Sequence, residues 1–230
     1  MAIQNIVGRT KYKVYEGSYI EAMPKISADG FRPLTIEEIM RAQLGGKLNF
    51  KENYGSCDAT LYSSDGRVTF IRDSTHLKEL GQDSELENAG LVIPADVSEV
   101  LRKENPTFTR KEIGSLLLDD EEHSKLLTKG EVMNNPIWQI YAGQDKALLD
   151  SYYEKVWGRI GKNKKEFLDK DKNGLFIIYV YEPEKRDVLF TTALLNEGNM
   201  NFFTVLTGGY FSKGPNGEHS STNLPAIKVS

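Results

Sequence analysis

Hydrophobic and polar positions follow their clearest regular pattern between residues 144 and 160. Apolar side chains recur there at spacings of three and four, which is the repeat of an α-helix with one apolar stripe. The stripe consists of Leu148, Leu149, Tyr152, Tyr153, Val156, Trp157 and Ile160. The pattern predicts a long amphipathic helix from about Gln144 to Ile160 that packs on a core.

Three β-strands are predicted after this helix. Residues 175–181 are apolar on both faces, which is typical of a central strand, and residues 188–195 and 201–206 follow across polar connections. Strands that follow one another through short loops pair antiparallel. We therefore predict an α+β fold in which a C-terminal three-stranded antiparallel meander packs against the long helix.

The N-terminal half is predicted to contain a β-hairpin over residues 57–72, together with short helices. A Ser-Ser-Asp-Gly turn separates its two strands. If Tyr62 lies opposite Arg67, then Cys57 lies opposite Arg72, and one face of the hairpin is clearly more apolar than the other. This register, with one buried and one polar face, is the one that we expect.

Three helix starts carry the same signal, a threonine followed three residues later by a glutamate. This is a capping box, in which each side chain bonds the other residue's backbone N–H. The pairs are Thr35 with Glu38, Thr109 with Glu112, and Thr128 with Glu131. A further helix is predicted over residues 96–104.

The length of 230 residues suits one large domain or two small ones. The polar sequence around Pro106 suggests a boundary that divides the chain into residues 1–105 and 106–230, and a single domain is the alternative. The stretches 77–106 and 213–224 are expected to include polar, irregular loops, and such loops often carry function.

Composition narrows the class of protein. The net charge of −4 argues against a protein whose main task is to bind nucleic acid. A single cysteine excludes an intramolecular disulfide, and no apolar run is long enough to span a membrane or act as a secretion signal. We expect a soluble protein of the cytoplasm.

The stretch from Asp169 to Gly174, Asp-Lys-Asp-Lys-Asn-Gly, matches the opening of an EF-hand calcium loop. Position 12 of such a loop must be a glutamate, but here it is Val180. A different calcium site with Asp169, Asp171 and Asn173 as ligands stays open. The alternative is a turn, because Asn-Gly adopts the required backbone angles at little cost.

Candidate catalytic residues cluster at the open end of the predicted hairpin: Asp58, Arg72, Asp73 and His76. In this hypothesis His76 is a general base, and Arg72 stabilises an oxyanion or a phosphate. Cys57 would be a nucleophile if Arg72 lowered its pKa, and an apolar core cysteine is the alternative.

Two classes of function follow. The first is a non-catalytic module that binds a small-molecule ligand or a protein partner, because the sequence contains no complete catalytic motif and no cofactor-binding motif. The second is a hydrolase whose site is assembled around Asp58, Arg72, Asp73 and His76. No cofactor is predicted, apart from the calcium alternative.

Overall fold

The computed structural model describes residues 4–6, 11–50, 52–80, 84–87, 90–109, 111–112, 128–160, 177–180, 186–195, 204–209 and 223–229. These residues form an α+β structure in which β-sheets carry helices, as the sequence predicts. No helix in these ranges is long and apolar enough to cross a membrane.

The strands within these ranges are β1 (Gln4–Ile6), β2 (Lys11–Tyr15), β3 (Phe31–Pro33), β4 (Tyr54–Tyr62), β5 (Arg67–Ile71), β6 (Leu86–Glu87), β7 (Gly90–Val92), β8 (Thr107–Thr109), β9 (Ile177–Val180), β10 (Val188–Leu195), β11 (Thr204–Gly209) and β12 (Leu224–Lys228). The helices are α1 (Tyr19–Ala28), α2 (Ile36–Leu44), α3 (Thr75–Lys78), α4 (Ala95–Glu104), α5 (Lys129–Asn134), α6 (Pro136–Tyr141) and α7 (Lys146–Ile160).

The smaller sheet has the strand order β1-β2-β12-β3, with every pair antiparallel. Strand β12 lies near the end of the chain, but it pairs with β2 on one side and β3 on the other. The sheet therefore joins the first and last described parts of the sequence.

The larger sheet has the order β6-β7-β10-β4-β5-β8, and β11 pairs with both β10 and β9. Strand β10 lies at its centre. One edge of β10 pairs with β4, and the other edge is shared, with β7 at Val188–Leu189 and β11 at Thr191–Leu195.

The predicted antiparallel meander is not the arrangement found. Strand β11 lies between β10 and β9, and β9 runs parallel to β11. Because β4, β7 and β11 occupy both edges of β10, no edge of β10 is left for β9. The long helix α7 is present as predicted, but the predicted packing of the C-terminal strands against it is not confirmed. Its contacts are with α2, α5 and α6.

The predicted hairpin is present as β4 and β5, but its register differs by one residue. Tyr62 pairs with Val68, not with Arg67. The N–H of Ser63 bonds the carbonyl of Arg67 at 2.8 Å, which leaves a three-residue loop, and Gly66 in that loop has φ +83°. A loop of this kind places a positive φ at its last residue, where glycine is favoured.

The predicted register failed because both faces of β4 are buried, along its whole length. One apolar core includes Tyr62 and Phe70 with side chains of α2, α6 and α7. The other includes Leu61 and Ile71 with side chains of α1, α3 and α4. Because helices cover both faces of the hairpin, neither face had to be polar. The search for a single apolar face could therefore not identify the register.

The capping predictions are confirmed. The Thr35 side chain accepts a bond from the Glu38 N–H, and the Glu38 carboxylate accepts one from the Thr35 N–H at 3.0 Å. The same reciprocal bonds occur between Thr128 and Glu131 and between Thr109 and Glu112. Caps of this kind stabilise a helix by about 1 kcal/mol each. The helix predicted over residues 96–104 is confirmed as α4.

Candidate functional site

Asp58 is a buried carboxylate that two backbone segments share. Its Oδ2 accepts the N–H of Ile36, the first residue of α2, at 2.8 Å, and its Oδ1 accepts the N–H of Asp73 at 2.9 Å. Burial raises the pKa of Asp58 to about 6, against the opposing effect of these two N–H bonds and of the Arg72 charge. Both carboxylate oxygens are thus bound to the backbone.

Asp73 lies two residues after the end of β5 and has an unusual backbone conformation. Its φ is +50°, in the left-handed region that a non-glycine residue rarely adopts. Its carboxylate accepts bonds from the Lys78 ammonium at 2.7 Å and the Cys57 thiol at 3.2 Å. Partial burial favours a higher pKa for Asp73, but these two donors bring the pKa below its ordinary value.

Cys57 is fully buried on β4 and has the properties of a core residue. Its thiol is directed to Oδ1 of Asp73 and, at 3.5 Å, to the carbonyl of Pro33. Burial, followed by the negative charges of Asp58 and Asp73, raises the pKa of the thiol far above its ordinary value. The observed register brings Asp73, and not Arg72, to this thiol. The result is the opposite of the activation that a nucleophile requires.

Arg72 is directed away from this cluster. Its guanidinium bonds the carboxylate of Glu37 on α2, and Glu37 also accepts bonds from Arg41. Arg41 in turn pairs with Asp145 at 2.7 Å, so the network connects α2 to the segment before α7. His76 lies half-buried on the short helix α3. Among the four predicted catalytic residues, a hydrogen bond joins Asp58 to Asp73, while Arg72 is bound to α2.

The proposed calcium ligands Asp169, Asp171 and Asn173 lie outside the residues that the structure describes. Within those residues there is no group of three or more histidine, cysteine, aspartate or glutamate side chains arranged to hold a metal ion.

A cleft between β2 and α1 brings together charged groups that the sequence analysis did not select. Its volume is about 480 Å³, and Lys13, Tyr15, Glu16, Lys25 and Asp29 contribute to its walls. Lys13 and Tyr15 both bond the Asp29 carboxylate, Tyr15 at 2.8 Å, and the Lys13 ammonium lies 4.6 Å from the centre of the Tyr15 ring. The cleft therefore presents an ion pair beside an aromatic ring.

The three central side chains of this cleft influence one another's protonation. The bond from Lys13 lowers the pKa of Asp29, and the same bond raises the pKa of Lys13. Burial, and then the bond to Asp29, raise the pKa of Tyr15. Lys13 and Tyr15 are two positions apart on a strand and so share a face, which the sequence could have indicated. Asp29 reaches them only through the fold.

No protein-family model matches the chain, and a comparison with curated proteins found no match. A solved structure described as "Accommodation of massive sequence variation in Nanoarchaeota by the C-type lectin fold" is similar over 98% of this chain and 100% of that chain, with a TM-score of 0.63 and 12% sequence identity. This likeness concerns the fold alone: the chain is similar in fold to a protein that is described as having the C-type lectin fold.

Proposed function

We propose that this chain is a non-catalytic binding protein that recognises a small-molecule ligand or a protein partner in the cytoplasm. The observation that carries the proposal is the fold likeness, which extends over nearly the whole of both chains. The related structure is described as accommodating massive sequence variation, which fits a scaffold that keeps its core while its surface changes.

The cleft between β2 and α1 is the recognition site in this proposal. A volume of about 480 Å³ lies in the range of small-molecule sites. The Asp29 carboxylate accepts hydrogen bonds and the Lys13 ammonium donates them, while Tyr15, which is 7% exposed, adds a small apolar part of the wall. Neighbouring hydroxyl groups on one molecule both donate and accept, so a ligand that carries several hydroxyl groups matches this combination.

A hydrolase site at Asp58, Arg72, Asp73 and His76 is the second hypothesis, and it has less support. Asp58 would have to give up a backbone N–H bond to act on a substrate. Arg72 would have to leave Glu37. Asp58 supports the local backbone and Arg72 supports the packing of α2. These structural roles account for both side chains without a catalytic role.

The binding proposal can be tested by thermal melting with a panel of polyols, monosaccharides and disaccharides. A ligand that binds the folded state raises the melting temperature. The test variant is Lys13→Gln with Asp29→Asn, and the control is Lys103→Gln with Glu99→Gln, which changes the same charges in an exposed pair on α4. We expect a ligand-dependent rise in the wild type and the control, and its loss in the test variant.

The binding proposal is refuted if no ligand raises the melting temperature, or if the melting temperature rises equally in the test variant and the control.

Hydrolysis assays with chromogenic esters and phosphate esters test the second hypothesis, a hydrolase. Turnover that disappears in His76→Ala, while the melting temperature of that variant is unchanged, would favour a hydrolase over a binding protein.

A further inference from the structure

A second cleft, lined by other residues than the cleft between β2 and α1, lies at the C-terminal end of α2. Its volume is about 460 Å³. Its walls come from the last turn of α2, the loop that follows, and one residue of α7, and they include Gln43, Lys47, Leu48, Asn49, Phe50 and Lys155. We refer to it as the α2–α7 cleft.

The walls of the α2–α7 cleft are held in place by buried contacts. Gln43 is 2% exposed, and both ends of its amide are used: Nε2 donates to the Asn49 carbonyl at 3.2 Å, and Oε1 accepts from the Tyr152 hydroxyl at 2.8 Å. Leu48 and Phe50 are buried, and the Phe50 ring stacks on Tyr152. The cleft is thus formed before any ligand binds, which reduces the entropic cost of binding.

The described residues that line this cleft carry positive charge. They include Lys47 and Lys155 and no aspartate or glutamate, although the chain as a whole has a net charge of −4. Across the residues that the structure describes, neither lysine has a carboxylate within 4.0 Å. The Lys47 ammonium lies 4.9 Å from the centre of the Tyr12 ring, a contact that orients the side chain and keeps its charge.

The last carbonyl groups of a helix carry partial negative charge, which would oppose an anion at this position. Here the loop after α2 neutralises much of that effect. The N–H groups of Gly45 and Gly46 bond the carbonyls of Arg41 and Gln43, and those of Lys47 and Leu48 bond the carbonyl of Ala42. Gly46 has φ +69°, which permits this closing turn.

We propose that the α2–α7 cleft binds a divalent tetrahedral oxyanion, that is, the phosphate or sulfate group of a small molecule. Two ammonium groups match two negative charges, and lysine is a common partner of phosphate. The cleft is larger than one such group, so the remaining space would accept the rest of the ligand. This site is independent of the proposed function, because it shares no residue with the cleft between β2 and α1.

The test titrates the whole chain with inorganic phosphate and with sulfate, using chloride at equal ionic strength as the reference. Binding is followed by thermal melting and isothermal titration calorimetry. For the wild type we expect a dissociation constant on the order of millimolar, as is usual for so small a ligand. Lys47→Gln and Lys155→Gln should each weaken binding by about tenfold.

Lys146→Gln is the matched control, because Lys146 is an exposed residue of the same helix as Lys155 and does not line the cleft. It should bind phosphate as the wild type does, and so should Lys13→Gln with Asp29→Asn. The melting temperature of each variant in chloride shows whether it is folded.

The proposal is overturned if phosphate and sulfate have no effect beyond that of chloride, or if acetate binds as strongly as phosphate. It is also overturned if Lys146→Gln weakens binding as much as Lys155→Gln does. If phosphate binding persists while no hydroxyl-bearing ligand binds, the proposed function fails and this site stands.

Discussion

The substitution Asp58→Asn tests whether burial or hydrogen bonding has the larger effect on the pKa of the buried Asp58 carboxylate. In the wild type, two backbone N–H groups donate to Asp58 at 2.8 and 2.9 Å. Asparagine keeps one acceptor oxygen, but its NH₂ group then faces the second N–H. One buried donor is left unpaired, and this costs about 1–3 kcal/mol at acidic pH.

The pH dependence adds a second effect of opposite sign. Burial raises the pKa of Asp58 from its ordinary 3.8 to about 6, so between these values the folded state binds more protons than the unfolded state. The contribution of Asp58 to the free energy of unfolding is therefore complete below pH 3.8 and is lost as the pH rises through about 6. The difference corresponds to about 3 kcal/mol.

We therefore expect Asp58→Asn to be less stable than the wild type at pH 4, and this difference to close by up to about 3 kcal/mol between pH 4 and pH 7. Urea denaturation at pH 4, 5, 6 and 7 measures the gap. Asp29→Asn is the control, and its stability difference from the wild type should stay nearly constant from pH 4 to pH 7, because the bond from Lys13 lowers the pKa of Asp29 and so moves its titration below this range. A gap for Asp58→Asn that widens as the pH rises would refute the reasoning, since the two N–H bonds would then outweigh burial.

Three further predictions concern the fold. Arg102 and Asp187 form an ion pair at 2.7 Å, with side chains 14% and 11% exposed, and Asp187 also accepts two bonds from Ser64, so Arg102→Ala should lower the free energy of unfolding by about 2–3 kcal/mol. Lys103→Ala, in the exposed pair with Glu99, should change it by less than about 1 kcal/mol, and equal effects in urea denaturation would contradict this. Gly143 has φ +67°, and a Cβ there would lie 2.1 Å from Oε2 of Glu37, whereas Gly30 has φ +72° and open space around it. Gly30→Ala should cost about 1 kcal/mol, from backbone strain alone, and Gly143→Ala up to about 1 kcal/mol more, because the displaced Glu37 carboxylate would lose its bond with Arg72. A Gly143→Ala variant no less stable than Gly30→Ala would count against the contact. We also propose that the chain is a single domain, because β10 pairs with β4 and β7, and β12 with β2 and β3. A fragment of residues 1–105 should then show no cooperative unfolding by circular dichroism, and a cooperative transition would support the two-domain alternative.

The starts and spacing of helices could be predicted because they depend on neighbouring residues. The bonds between Thr35 and Glu38 span three positions, and the stripe of α7 repeats every three or four. Such interactions are encoded within a single turn of helix. They are present in the structure at the positions that the sequence predicted.

The candidate site was less accessible to sequence reasoning, because a one-residue change in register exchanged two neighbouring residues. The predicted pairing placed Arg72 opposite Cys57, where it would activate the thiol. The observed pairing directs Arg72 to Glu37 and brings Asp73 to Cys57, which raises the pKa of the thiol. The predicted neighbour would have lowered the pKa of the Cys57 thiol, whereas the observed neighbour raises it.

The sequence by itself determined the α+β class, the capped helices, the hairpin and the acidic balance of charge. Only the tertiary structure decided the hairpin register, the place of β11 between β10 and β9, and the two clefts. The physical reason is separation along the chain. Asp29 meets Lys13 from 16 positions away, and Lys155 shares a cleft with Lys47 across more than a hundred. Contacts of this kind depend on which layers cover each sheet, and no local pattern of residues encodes that.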